Sequence, residues 1–505
     1  MTTDTVSSTQ EKSWSREAVA AAILGGEHLV VYHDRLLRIP AKWLEQHPGG
    51  ALSILHFVGR DATDEIDSYH PDHVLDLIRR YKVGTVVLPW RPLVPPVMSG
   101  WVRTSSNAWF NEAEAVRGGT EILLVQKRPD GDAAAPTRDT LEPPPATLSA
   151  EDQARHSAAY KVLHKRVRDA GLYDTRYLTG YGPEVVRYVL LGSLSAYAYS
   201  HAWFLTSALF LGLFWQQLTF TAHDLGHVSV TTTGPWTASL ASLLRTGLAA
   251  SASAGGSPTT TFTIWCPTTL LNIEHLPFIA ISPAFFDSLW SSYYKRTLHF
   301  DAFARFFVQL QHRLFYVVLL LARFNLYANS YPFILRKAFD TKRVRGGRWA
   351  WGLEVAGIVF FWCWFGRALA GCGSWKMSLA YLLVSHVAAA PVHIQIVLSH
   401  FSMSTADLGP TESFADRQMR TTTDVICPES IGWIHGGLQL QVTHHLFPRL
   451  PRHNLKAASL LVKEFAAEQG LVYAEFGWIS GNQDVLGVSR ASPTRKLGLY
   501  EEKKA

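Results

Sequence analysis

Histidines at metal-ligand spacing are the most chemically specific feature of this 505-residue sequence. His223 and His227 stand four apart in HDLGH at the end of an apolar run, so on a helix both imidazoles project from one face. Gln441, His444 and His445, in QVTHHLFP, repeat the arrangement with spacings of three and one. His400, in VLSHFSM, is a further candidate ligand, with a helix-packing histidine as its plainer reading. A donor set rich in imidazole and free of thiols suits iron. Zinc has no redox chemistry, so it is excluded from a site that activates oxygen. Single histidines beside apolar helices are often interfacial polar residues, but two dense clusters there are costly and point to function.

A different histidine pair lies near the N-terminus. His47 opens a Pro-Gly-Gly bend and His70 precedes Pro71, with Leu55, Phe57, Val58 and Ile66 between them to line a flat apolar slot. Two neutral imidazoles on opposite faces of a haem leave the iron no open position, so such a centre passes electrons and does not bind oxygen. Taken alone, His-Pro-Gly-Gly is merely a tight turn, and His73 is the alternative second ligand. Asp61, Asp64, Glu65 and Asp67 crowd His70, and their plainer reading is a solvated acidic face.

The elements that must position these groups are of two kinds. The chain is 48% hydrophobic and 17% charged, which leans toward a membrane protein. No Asp, Glu, Lys or Arg occurs from Tyr188 to Ala222. At about 20 residues per crossing this gives room for nearly two spans, as a hairpin turning near His201. Val355 to Phe365 and Met377 to Phe401 are further apolar blocks. The net charge of +6 fits basic flanks such as LRKAFDTKRVRGGR, held on the cytoplasmic side by anionic lipid. No aromatic and basic stripe accompanies that charge, which argues against nucleic acid. The polar start lacks a signal core, so the first domain is expected to stay cytosolic. Only four cysteines occur, Cys266, Cys363, Cys372 and Cys427, and their lack of paired spacing argues against a disulfide framework or a cysteine zinc site. Residues 128–145, rich in Pro, Ala, Gly and Asp, read as a linker or surface loop.

The string EQHPGGALSILHFVGRDATDEIDSYHPDHV, together with WQQLTFTAHDLGH, NIEHLPF and HGGLQLQVTHHLFPRLPRHN, resembles the cytochrome b5-fused front-end membrane desaturases, most closely the fungal delta-8 sphingolipid desaturases. The resemblance covers nearly the full chain apart from the polar tail, the linker and one central gap. It implies an α+β cytochrome b5-like haem domain fused to an all-α multi-pass membrane desaturase domain. The expected segments are a polar tail (1–14), the haem domain (15–95), a linker and pre-membrane segment (96–180), the membrane domain (181–410) and a cytosolic C-terminal part (411–505).

The same resemblance implies haem b on His47 and His70. It also implies two non-haem iron ions held by three histidine boxes, with His223, His227, His400, Gln441, His444 and His445 as the ligands present. Electrons would come from cytochrome b5 reductase, for which the acidic residues around His70 would be a docking surface. With O2, the centre would remove two hydrogens from adjacent methylenes of a lipid held in an apolar tunnel, with water as the other product. The implied substrate is a ceramide or other long-chain lipid, desaturated at carbon 8 of the sphingoid base. The implied location is the endoplasmic reticulum membrane, with haem domain and C-terminus cytosolic. Alternatives are a delta-6 or delta-5 front-end acyl-lipid desaturase, a lipid hydroxylase, and a membrane-tethered haem protein without its own catalysis.

One part of the pattern is missing. A middle box of the form His-x-x-His-His belongs shortly before NIEHLPF, yet no charged residue or histidine occurs between Arg245 and Glu274. A shifted reading frame explains the gap. Read from the last base of one codon into the next, Trp265 and Cys266 force GTG, a valine. Phe262 into Thr263 gives tyrosine or histidine, and Thr263 into Ile264 permits a second histidine. The string SPTTTFTIWC can thus hide SNHNIHHLV, a family-like middle box. Roughly Thr231 to Leu270 is therefore expected to be out of frame, and the literal chain to be inactive as a desaturase.

Overall fold

The computed structural model describes residues 11–47, 49–104, 108–111, 135–145, 147–230, 289–291, 296–298, 300–339, 347–404, 406, 408–487 and 489. The expected frame-shifted segment and the NIEHLPF string lie outside the described residues.

The N-terminal part is built on a four-stranded sheet of order β1 (Ser13–Trp14), β4 (Lys82–Val86), β3 (Arg35–Arg38), β2 (Leu29–Tyr32). Strands β2 and β3 form a hairpin in which Tyr32 pairs with Arg35. The two turn residues, His33 and Asp34, both have positive φ, 47° and 60°, the geometry a two-residue hairpin turn demands. Short helices α1 (Arg16–Leu24), α2 (Ala41–Gln46), α3 (Leu52–Leu55), α4 (Thr63–Tyr69) and α5 (Asp72–Ile78) complete this unit. Its core gathers Val19, Ile23, Leu29, Val31 and Leu36.

Residues expected to be linker return to this core. Leu141 is 1% exposed and packs with it, Val94 N donates to Leu141 O at 2.8 Å, and Arg16 forks onto Glu142 at 2.6 and 2.8 Å. One large apolar side chain in a Pro-rich stretch suffices to anchor it, because burying a leucine is worth about 2 kcal/mol.

The rest of the described chain is mostly helical. Helix α6 (Ala150–Asp169) is capped by Ser149, whose side chain accepts from Asp152 N. It buries Tyr160, Leu163 and Val167 against the C-terminal part, so part of the expected pre-membrane segment is a structural bracket. Helices α7 (Gly182–Ser200) and α8 (Phe204–Gly226) form a hairpin closed at residues 201–203, where the apolar run places its turn. Then follow α9 (Ala302–Leu320), α10 (Ala322–Ala338), α11 (Gly347–Ala370), α12 (Trp375–Ala388) and α13 (Pro391–Phe401). Gly212 lets α8 approach α12: a Cβ there would lie 2.4 Å from Ser385 O.

Among the described residues, Trp351–Ala370 and Trp375–Phe401 are long and apolar enough to cross a membrane. Helices α7 and α8 also turn large apolar side chains outward, Val186 at 67% and Val189 at 64% exposure among them. The C-terminal part comprises α14 (Phe414–Thr421), α15 (Gln441–Leu446) and α16 (Leu455–Gln469), and Val442, Leu446 and Phe447 join α6 in one core.

Candidate metal centres

Helix α15 carries Gln441, His444 and His445, and its start is held from outside. Val442 N donates to Asp424 Oδ1 at 2.8 Å, and the other Asp424 oxygen accepts from Tyr473. An external carboxylate thus satisfies a helix-start amide that has no partner of its own. Before it, Gly436 has φ 57° and lies against α8, where a Cβ would meet the Phe220 ring at 2.2 Å. Only glycine allows both that conformation and that approach.

This close approach brings the two histidine motifs together. The ligand atoms of His223, His227 and His444 all lie within 4.8 Å of one another, with ring centroids 4.6 to 4.9 Å apart. His400, on α13, meets His445 with centroids 4.9 Å apart. The neighbouring histidines of α15 therefore face different groups, one toward α8 and the other toward α13, with their own centroids 6.0 Å apart.

Several polar atoms here are buried without a hydrogen-bond partner among the described residues: His227 Nε2, His444 Nε2, His400 Nδ1 and Gln441 Oε1. Buried polar atoms are normally paired, so this concentration of unpartnered nitrogen and oxygen atoms fits a cation. The all-nitrogen and amide-oxygen donor set fits iron. Gln418 Oε1 lies 3.0 Å from His445 Nδ1. An amide oxygen only accepts, so the proton sits on Nδ1 and the Nε2 lone pair is free for another partner. Gln441 Nε2 occupies that position at 2.9 Å. Arg452 locks the first motif: its Nε lies 2.6 Å from Asp224 Oδ2, and Tyr181 donates to the same oxygen at 3.0 Å.

In the N-terminal unit, His47 and His70 each follow the last residue of a short helix, which aims both rings into one slot. Val30, Leu37, Ile54, Phe57 and Ile66 line it with them. The His47 and His70 centroids are 6.2 Å apart. Two metal–imidazole bonds of about 2 Å, each with about 1 Å more to the ring centre, span roughly 6 Å. His47 Nδ1 sits 3.2 Å from Gly50 O and His70 Nδ1 3.0 Å from Ile66 O. Each Nδ1 proton is engaged, which leaves each Nε2 as a donor to metal. Burial, with His70 close by, holds the His47 imidazole down at about 4, in its neutral form. His73, the alternative ligand, is exposed and does not line the slot.

Of the acidic residues near His70, Asp61 is exposed, but the others do not form a solvated face. Asp64 and Glu65 are 7% and 6% exposed, and Asp64 Oδ2 accepts from Ser157 of α6 at 2.6 Å. Asp67 accepts from Tyr32 at 2.7 Å and pairs with His33 at 2.8 Å. Composition showed the charge, but the packing of α4 on α6 turns part of it inward. Asp424, Gln418 and Arg452 were also missed as site residues; a carboxylate or amide acting through another residue has no spacing signature.

Residues 16–87 match the cytochrome b5-like heme/steroid binding domain family and residues 281–477 the fatty acid desaturase family. These matches and the fold define an oxidoreductase of desaturase type with a fused electron-carrier domain. The chain is 36% identical to a delta 8-(E)-sphingolipid desaturase of Emericella nidulans over 95% of this chain and 94% of the relative. It is 36% identical to the one from Komagataella phaffii over 94% and 92%, and 29% identical to delta(8)-fatty-acid desaturase 2 of Arabidopsis thaliana over 87% and 84%. The chain belongs to the cytochrome b5-fused membrane desaturase family.

Proposed function

We propose that this chain derives from a desaturase acting at carbon 8 of the sphingoid base of ceramides, with His47 and His70 holding haem b and the two histidine clusters holding two iron ions. The observation that carries the site reading is the His444–His445 pair. One residue joins His223 and His227, and the next joins His400, so a single helix turn serves two neighbouring ion positions. The substrate follows from the names of the fungal relatives.

Bound iron would supply O2 activation, driven by electrons arriving through the haem domain. The chain's own residues do the rest. Gln418 fixes the His445 tautomer, Asp224 and Arg452 hold the α8 end in place, and Asp424 holds the start of α15. For Gln441 to ligate, its amide must turn so that Oε1, now unpaired, replaces the amide nitrogen facing His445.

The outward apolar faces of α7, α8 and α11 support a multi-pass membrane domain, because exposed apolar area this extensive is costly in water. Endoplasmic reticulum placement, a cytosolic haem domain and cytochrome b5 reductase as donor complete the reading. The segment boundaries stay as above, with residues 135–145 assigned to the haem domain instead.

The middle box is absent from this sequence, so the literal chain is proposed to be inactive and its frame-restored form active. The test expresses both forms in a host lacking the enzyme and profiles its sphingoid bases. A delta-8 unsaturated base from the restored form only is expected. The same product from the literal chain overturns the frame argument, and unsaturated fatty acids with unchanged sphingoid bases favour the acyl-lipid alternative.

A further inference from the structure

The haem domain meets the segment bearing His444 and His445 at two hydrogen-bonded points. Arg449 Nη1 donates to His70 O at 2.7 Å. The hydroxyls of Ser68 and Tyr160 lie 2.7 Å apart, and Tyr160 donates to Leu446 O at 2.7 Å. Tyr160 has one proton to give. Ser68 has one as well, with Asp64 O 2.6 Å from its Oγ, so two protons are shared among three contacts that join α4, α6 and the residue after His445. Both contacts start within two residues of His70 and end within four residues of His445.

We propose that Tyr160 and Arg449 are positioning residues for electron transfer: they seat the His70 side of the haem domain against the third histidine segment, and the Arg449 charge raises the reduction potential of the haem. The proposal rests on the haem reading above.

Three observations support a fixed seat over a loose tether. Tyr160 is 1% exposed and stacks on Phe447, centroids 5.7 Å apart at 21°. Asp64 is buried against Ser157 in the same contact. Arg168 pairs with Asp72 at 3.0 Å along its edge. Asp64 and Asp72 are thus engaged within the chain.

The effect on potential follows from charge. Reduction of the haem iron from ferric to ferrous adds one electron and lowers the local charge by one. A fixed cation beside His70 would favour that lower-charge state, and burial weakens its screening by salt.

The test uses the full-length, haem-loaded protein and three variants: Arg449→Gln, Arg449→Lys and Tyr160→Phe. Amide hydrogen exchange over residues 63–70 should accelerate at least tenfold in Arg449→Gln and Tyr160→Phe. Haem potential, read by spectroelectrochemistry, should fall in Arg449→Gln by about a tenfold change in the ferric-to-ferrous ratio, ~59 mV for one electron. It should hold in Arg449→Lys and Tyr160→Phe. Unchanged exchange in both variants overturns the seat, and an unchanged potential in Arg449→Gln overturns the tuning role. Neither readout depends on lipid products, so failure here is distinct from failure of the desaturase reading.

Discussion

Arg452 and Asp224, 228 residues apart, are joined at 2.6 Å in a buried ion pair. The pair ties the helix carrying His223 and His227 to the segment just after His444 and His445. It also draws in Glu184, 3.5 Å from the same guanidinium, and the Tyr181 hydroxyl. Two motifs distant in sequence keep their mutual distance because this pair fixes both backbones.

Removing one partner leaves the other charge buried. Arg452→Met should destabilise the protein by about 3 to 5 kcal/mol. Asp224→Asn, which keeps a hydrogen-bond acceptor, should cost less. Thermal unfolding in detergent, read by tryptophan fluorescence, gives the comparison. Equal midpoints for Arg452→Met and the unaltered chain would contradict the lock.

Haem binding should depend on two histidines and not on the third. His47→Ala and His70→Ala should each abolish the low-spin Soret absorbance, while His73→Ala should retain it, since His73 is exposed. Loss of haem in His73→Ala with retention in His70→Ala would reverse the assignment.

Asp64 gives a pH dependence with a defined sign. Burial pushes its carboxyl from the ordinary 3.8 up to about 7, with Glu65 and Asp61 adding to the rise and Ser157 and Lys161 opposing it. The folded state then holds a proton that the unfolded state releases above about pH 4. Stability from this group is full below the unfolded value and declines as pH rises toward 7, by about 1.4 kcal/mol per unit. Asp64→Asn should remove that decline, so the midpoints of the two proteins should separate between pH 5 and 7. Parallel pH profiles would show that Asp64 is ionised in the fold.

Gln418 acts through His445. Gln418→Leu removes the acceptor on Nδ1 and lets the imidazole take the other tautomer, so affinity for added ferrous iron should fall about 10- to 100-fold. Gln418→Glu, which keeps the acceptor, should retain it. Iron titration of the purified protein reads this directly, and equal affinity in Gln418→Leu would remove Gln418 from the support.

Much of the site was legible because its chemistry is local. The four-residue step from His223 to His227 and the His444–His445 pair mark ligand candidates, of which the fold gathers His223, His227 and His444, and the charge-free run before them announced the α7–α8 hairpin. His400 was ambiguous in sequence because a lone histidine on an apolar helix has no pattern, and its contact with His445 supports the ligand reading. Leu141 was hidden by Pro-rich neighbours, although one buried side chain outweighs their composition. The acidic run at Asp61 to Asp67 misled for the opposite reason: charge suggests solvent, and the packing of α4 on α6 that buries Asp64 has no sequence signature.

The central claim is that imidazoles from α8, α13 and α15, completed by the middle box, grip two iron ions beside a haem. Its most direct test is the ratio of non-haem iron to haem in the purified frame-restored protein, with His444→Ala as the comparison. The account predicts two non-haem irons per haem, and a clear loss in His444→Ala. A preparation that binds one haem and no other metal would contradict it.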